Sequence, residues 1–247
     1  GALGEERIFG QGAILIRHPA GHLLFDSGFG EQVDEHFRTT PWLMRATTRY
    51  EKLPSVHRQL ARAGLRPEQL KAIVLTHAHW DHVSGLGDLP GVPVWTTRDE
   101  QAFIASGDES TALARQLGTR RYQAIEFKNG PYLGFASSFD VFGDGSVVLV
   151  PAPGHTPGSL IAFVHTPDGQ HRALVGDLVW QIEGLDRQVP KPWIARRLVD
   201  HDADATLAMI RKVHHLKVRL PGLVIVPAHD HRVWLTLPPL LAQGSGL

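Results

Sequence analysis

Short apolar runs separated by turn residues recur along the chain, with stretches of helical spacing between them. Ala13-Ile14-Leu15-Ile16 and His22-Leu23-Leu24-Phe25 read as two strands joined across Pro19-Ala20-Gly21. Ala72-Ile73-Val74-Leu75 is a continuous apolar run of the kind found in a buried strand, and Leu223-Val224-Ile225-Val226 reads as another strand. Further strands are expected at 92–95, 124–127, 139–142, 147–150, 160–165 and 173–175, the last two paired across Pro167-Asp168-Gly169. Helical spacing runs from an N-cap at Ser55 through Val56, Leu60 and Ala63 to a stop at Gly64. It returns at 98–105 and at 203–218, where a cap near Asp202 or Asp204 precedes a stripe of Leu207, Ile210, Val213 and Leu216. The polar segment 107–121 is expected to be helical around 111–117, whereas 31–50, with Phe37, Trp42 and Tyr50, shows no assignable period. Strands in both halves with helices flanking them predict an α/β fold, two sheets sandwiched between helices, in a single domain over 1–247.

Composition narrows the chemistry. The 25 basic residues balance the 25 acidic ones, so no broad field for nucleic acid or a membrane surface is expected. Thiolate ligands and disulfides are excluded, because there is no cysteine among the 247 residues. No apolar run is long enough to cross a membrane. The chain opens Gly-Ala without a basic-then-apolar leader. The location is left open: cytoplasmic is the first expectation, with secretion or a periplasmic location the alternative if a leader has been removed.

The 15 histidines are unevenly informative. Four metal-capable side chains fall in Thr76-His77-Ala78-His79-Trp80-Asp81-His82, directly after the 72–75 strand. His77 and His79 share a face on an extended segment, and Asp81 and His82 follow as the chain turns, so they can address a second ion. Imidazole and carboxylate donors suit zinc, with iron, manganese or cobalt as alternatives. His155 is held in the Pro- and Gly-rich turn Pro153-Gly154-His155-Thr156-Pro157-Gly158-Ser159. Asp177 and His229 each follow a strand as well, so a His or Asp stands at the C-terminal end of each of four strands. His231 competes with His229 for that last place, and His229 is preferred because it follows its strand directly. Asp26, at the end of the 22–25 strand, either supports the site or caps a turn. Trp80 reads as a pocket wall. His18, His22, His36, His57, His165, His171 and His201 lack motif context and read as surface or turn residues, and at least one of His214 and His215 should face solvent.

On these residues the chain resembles metallo-β-lactamase-fold hydrolases from about Ala13 to His229. Asp26 matches the first of that superfamily's motifs, 77–82 the second, His155 the third, Asp177 the fourth and His229 the fifth. The resemblance implies an αββα sandwich, two mixed β-sheets packed face to face with helices on both outer faces. It further implies two divalent metal ions, most simply zinc. His77, His79 and His155 would hold one ion; Asp81, His82 and His229 would hold the other. Asp177 would bridge them, and Asp26 would stand behind the ligands. A metal pair of this kind activates a water for attack, with Asp81 and Asp177 the catalytic carboxylates and no covalent intermediate.

Among the branches of that superfamily, the likeness is to N-acyl homoserine lactonases. Asp177 and the missing cysteine depart from the B-class β-lactamases, and the stretch after His229 is too short for the helical part of glyoxalase II. The interval between Asp177 and His229 is too short for the insert of the nucleic-acid-processing branch, and position 79 lacks the Glu of the oxygen-reducing diiron branch. Where those lactonases often carry Tyr three residues after the bridging Asp, this chain has Trp180, which weakens that substrate assignment. Trp180, Ile182, Leu185, Val189 and Trp193 are expected to form a loop with an apolar substrate wall. The implied partner is a small molecule with an apolar part, an ester or lactone, handled by a monomer or homodimer. A phosphotriester or thioester substrate is the competing enzyme reading, and a metal scaffold without activity the non-enzyme one.

Overall fold

The computed structural model describes residues 8–118 and 122–240. It divides into two compact units, one built on Gln11–Ala124 with 238–240 and the other on Ile125–Leu237 with 8–10. Each unit carries one five-stranded mixed sheet.

In the Gln11–Ala124 unit the strands are β1 (Ile14–Ile16), β2 (His22–Phe25), β3 (Leu70–Val74), β4 (Val94–Thr96) and β5 (Tyr122–Ala124), in that spatial order. β1 runs antiparallel to β2, and the remaining neighbours are parallel. Parallel strands are usually covered on both faces, and β3 is accordingly buried except at Lys71. Leu24, Leu60, Ile73, Leu75, Val83, Leu86, Val94 and Ile104 form this unit's core. The helix Val56–Arg62 begins at Ser55, whose hydroxyl accepts from Arg58 N, as its sequence suggests. The stretch 31–50 contains two short helices, Val33–Phe37 and Trp42–Thr47, which no sequence period announced. Tertiary contact explains the first of them: Phe37 packs against Tyr50 and Trp80, with ring centroids 5.0 and 5.4 Å away.

In the other unit the strands are β6 (Phe139–Asp140), β7 (Val147–Pro151), β8 (Leu160–His165), β9 (His171–Gly176) and β10 (Leu223–Pro227). The spatial order is β10-β9-β8-β7-β6, with only the β9–β10 pair parallel. The helix Ala203–Arg219 is capped by Asp202, whose carboxylate accepts from Asp204 N and Ala205 N. It buries Ile210, Val213 and Leu216, but Thr206 rather than Leu207 completes the inward stripe. Gly154 explains the switch, because a Cβ there would stand only 2.6 Å from Thr206 N. The 203–219 helix therefore rests directly on the turn that carries His155.

Two expected strands lie elsewhere. The run at 92–95 pairs only over Val94–Thr96, and the run at 124–127 is replaced by Tyr122–Ala124. β5 takes its register from β4 rather than from its own apolar residues, and Ile125 beyond it is buried without being part of the strand. Among the described residues no helix is long and apolar enough to cross a membrane.

Candidate metal centre

The Gln11–Ala124 unit holds a contiguous donor set. β3 ends at Val74, and after a bend at Thr76 the extended His79 leads into Trp80–Val83, one helical turn. Asp81 and His82 thus sit on a helix, where the sequence suggested only a turning loop. The His77 ring lies 4.6 Å from that of His79 and 4.0 Å from that of His82, centroid to centroid. His82 Nε2 is 3.7 Å from Asp81 Oδ2.

Asp26 organises this set. It is buried and adopts φ 56°, a region sparsely used outside glycine and costly enough that its surroundings must enforce it. Its carboxylate accepts from Thr76 N at 2.8 Å and from the Thr76 hydroxyl, and it lies 2.8 Å from His82 Nδ1. Thr76 Oγ1, its own proton given to Asp26, lies 3.1 Å from His77 Nδ1 and can accept there. Both His77 and His82 are therefore set as Nδ1–H tautomers with Nε2 presented as a lone pair. Ser27 Oγ donates to the His82 carbonyl, and Gln11 Nε2 donates to that of Asp81 at 2.6 Å. Glu100, fully buried, accepts from Ala78 N at 2.7 Å and pins the backbone between the two histidines. The sequence reading missed Glu100. Its local pattern, Thr97 followed three residues later by Glu, is that of a capping box, which would turn the carboxylate back onto its own helix.

The other unit gathers its donors from three strand ends. His155 follows β7, Asp177 follows β9 and His229 follows β10. His229 Nε2 is 3.1 Å from Asp177 Oδ2, and His155 Nε2 is 3.7 Å from the same oxygen. It is His229, not the competing His231, that reaches Asp177. His229 Nδ1 donates to the Gly10 carbonyl at 2.9 Å, and His155 Nδ1 lies 2.7 Å from Asp200 Oδ1. Here too both rings turn Nε2 toward a carboxylate. Trp180, three residues after Asp177, donates its indole N–H to Asp177 Oδ2 at 3.0 Å. Phe9 meets Trp180 edge-on at 5.6 Å.

The segment after Asp177 is not the open loop expected. It contains the helix Ile182–Asp186 and leads into Trp193–Val199. Leu185 is fully buried in the core of its unit, so it cannot line a substrate wall, and Ile182 packs against that core half-buried. Trp193 is 63% exposed, which leaves its ring available at the surface. Asp230, also missed, is fully buried and accepts from Ile182 N at 2.9 Å. Burial alone would raise its carboxyl, but hydrogen bonds from Arg232 and Ile182 outweigh that and hold it below the ordinary range. Trp80 stacks on Phe29 at 5.3 Å. His36, read from sequence as a surface or turn residue, is buried in the helix Val33–Phe37 with its Nδ1 2.9 Å from Ser84 Oγ.

His77, His79, Asp81 and His82 cluster in one unit, and His155, Asp177 and His229 cluster in the other, each a set of metal-capable donors. Four of these five histidines have Nδ1 committed to a fixed acceptor, the arrangement that metal-ligating imidazoles show. Nε2 lone pairs facing carboxylates are mutually repulsive until a cation lies between them, so the donor chemistry fits divalent metal.

Comparison with known proteins agrees. A probable metallo-hydrolase of Mycobacterium bovis is 30% identical over 243 residues, covering 88% of this chain and 73% of its own. N-acyl homoserine lactonase AttM of Agrobacterium fabrum is 24% identical, over 90% of this chain and 82% of its own. A solved structure of Bacillus thuringiensis AiiA, with N-decanoyl-L-homoserine bound at its active site, shares the fold at TM-score 0.67 and 21% identity, covering 92% of this chain and 83% of that one. The family model of the metallo-β-lactamase superfamily matches residues 9–229, and the chain belongs to that superfamily as a metal-dependent hydrolase.

Proposed function

We propose that the chain is a dinuclear hydrolase that opens an ester or lactone ring, with residues 1–247 working as one hydrolase domain. The observation that carries this reading is the commitment of His77, His82, His155 and His229 through Nδ1, which leaves Nε2 of each for metal. His77, His79 and His155 serve one ion, Asp81, His82 and His229 the other, and Asp177 both. The donors are all nitrogen and oxygen, which suits zinc and leaves iron, manganese and cobalt as alternatives.

When bound, such a pair supplies Lewis acidity to the substrate carbonyl and a water acidic enough to attack it near neutral pH. The chain's own residues do the rest. Asp177 offsets the local positive charge and takes the proton released on attack. The indole N–H of Trp180 fixes the Asp177 carboxylate, the role that gives Trp180 a place at the site. Trp80, Ile182 and Trp193 are assigned to the apolar part of the substrate, Trp80 through its stack with Phe29 and Trp193 through its exposed ring. The likeness to AttM favours an acyl homoserine lactone among esters.

The test is a hydrolysis panel of lactones, phosphotriesters, β-lactams and thioesters, run with metal analysis on the same sample. About two ions per chain and fastest turnover of a lactone are expected. Faster phosphotriester cleavage would move the substrate class and keep the metal chemistry. One ion or none after reconstitution would remove the dinuclear reading.

A further inference from the structure

Lys191 is buried, which is costly for a lysine unless a negative group pairs with it. Its Nζ lies 2.6 Å from Asp200 Oδ1, and the Asp200 side chain is fully buried too. The same Asp200 oxygen lies 2.7 Å from His155 Nδ1. Lys191 Nζ also approaches that Nδ1, at 3.3 Å, and the two contacts compete for opposite tautomers. A donating lysine wants a lone pair on Nδ1, whereas the carboxylate wants a proton there. The shorter, charge-assisted contact decides: His155 gives its Nδ1 proton to Asp200 and keeps Nε2 bare. On its other side Lys191 lies 5.8 Å from the centre of the Trp180 ring, within cation–π reach. Trp180 in turn donates to Asp177.

We infer that Lys191 is a positioning residue that orients two metal donors at once, His155 through Asp200 and Asp177 through Trp180. This rests on the dinuclear reading for its consequence, and on geometry alone for the orientation. A carboxylate as deep as Asp200 holds one position only while a cation is beside it. Removing that cation leaves the buried Asp200 carboxylate without its charge partner, and that contact no longer fixes Oδ1 against His155 Nδ1. The indole loses its cationic neighbour and with it part of what sets its angle toward Asp177. Lys191 meets His155 at Nδ1 and not at the Nε2 proposed to face the metal, so its effect is on orientation.

Two measurements on the 247-residue chain test this. The first is the ¹⁵N imidazole spectrum of metal-free protein, with His155 assigned by its loss in His155→Gln. The wild type should show a single Nδ1–H tautomer, and Lys191→Met should show a mixture. The second is zinc affinity, read by competition with a chelator. Lys191→Met should weaken one of the two positions about tenfold or more, the scale seen when a ligand's supporting residue is lost. Lys191→Arg should restore most of it, and adding Lys191→Met to Asp200→Asn should cost less than Lys191→Met costs in the wild type, only the Trp180 route being left to lose. If Lys191→Met fails to fold, Lys191→Gln is read against the same outcomes. An unchanged tautomer with unchanged zinc affinity overturns the inference, and so does independent addition of the two substitutions. A wild type that binds fewer than two zinc ions while Lys191→Met still mixes the tautomer overturns the dinuclear reading and leaves the positioning role standing.

Discussion

The two halves of the donor set are built in opposite ways. In one unit, four donors lie within the six residues from His77 to His82, and the backbone itself supplies their spacing. Their support centres on Asp26, whose left-handed conformation binds Thr76 and His82 together, with Glu100 fixing the backbone at Ala78. In the other unit, three donors are spread from residue 155 to residue 229, and each depends on a different strand end. Their support is distributed over Asp200, Lys191, Trp180 and the Gly10 carbonyl. A contiguous half can be lost at one point, whereas a dispersed half fails donor by donor. Substitutions should expose that asymmetry.

The largest effect is expected at Asp177, the donor on which the dispersed half converges. Asp177→Asn keeps the shape but removes the charge and the proton acceptor, so kcat/KM should fall by more than the roughly 100-fold cost of losing a supporting residue. Near-full lactone hydrolysis with both ions retained would contradict the assigned role.

Asp26→Asn tests the contiguous half. Asn tolerates the left-handed region better than most residues, so the backbone should hold while His82 and Thr76 lose their charged acceptor. Metal affinity should drop about 10–100-fold, as for other outer partners of metal ligands. A calorimetric titration showing wild-type affinity would show that the contiguous half needs no such support.

Trp180→Phe is the matching change in the dispersed half. It keeps the apolar ring and deletes only the N–H to Asp177. A hydrogen bond to a charged group contributes about 1.5–3 kcal/mol, so a loss of about tenfold or more in kcat is expected with metal content unchanged. Equal rates across substrates of different acyl length in wild type and Trp180→Ala would place this residue away from the substrate.

Gly154→Ala should act on stability more than on chemistry. The position has φ +144°, and an added Cβ would meet Thr206 N at 2.6 Å. Such strain costs about 1–3 kcal/mol, read as a lower Tm, and the His155 turn should shift with it. An unchanged Tm would mean the 203–219 helix yields to the turn.

The smallest effect concerns pH and lies in the contiguous unit. Burial holds the His36 imidazole below its ordinary value of 6.5, against the opposing pull of Asp88 and Glu35. The unfolded chain therefore takes up a proton there before the folded chain does. The contribution is fully present above pH 6.5 and fades as the pH falls through the lowered folded value. A melting series from pH 7 to 5 should slope less steeply for His36→Gln than for wild type, and parallel curves would remove His36 as the cause.

The sequence by itself determined the strands that end in donors, because an apolar run closed by His or Asp is a local pattern. It also determined the chemistry of the donors, since a chain without cysteine offers a metal only nitrogen and oxygen. The Pro- and Gly-rich turn at 153–159 and the caps at Ser55 and Asp202 were legible for the same reason: each acts over three or four residues. Among the groups that orient those donors, Asp26 was legible at its strand end as a support or a turn cap, and the others were decided by tertiary structure. Glu100 reaches Ala78 across 22 residues, Asp200 reaches His155 across 45, and the Gly10 carbonyl reaches His229 across 219. Nothing local distinguishes these residues from surface polar ones, and Glu100 stands three residues after Thr97, which caps the helix by accepting from Glu100 N. Leu185 shows the converse, an apolar residue in a segment that reads as a substrate wall but turns inward once Ile182–Asp186 becomes helical. Periodicity encodes which face of an element is apolar, whereas the hydrogen bonds that aim a ligand exist only after distant elements have packed.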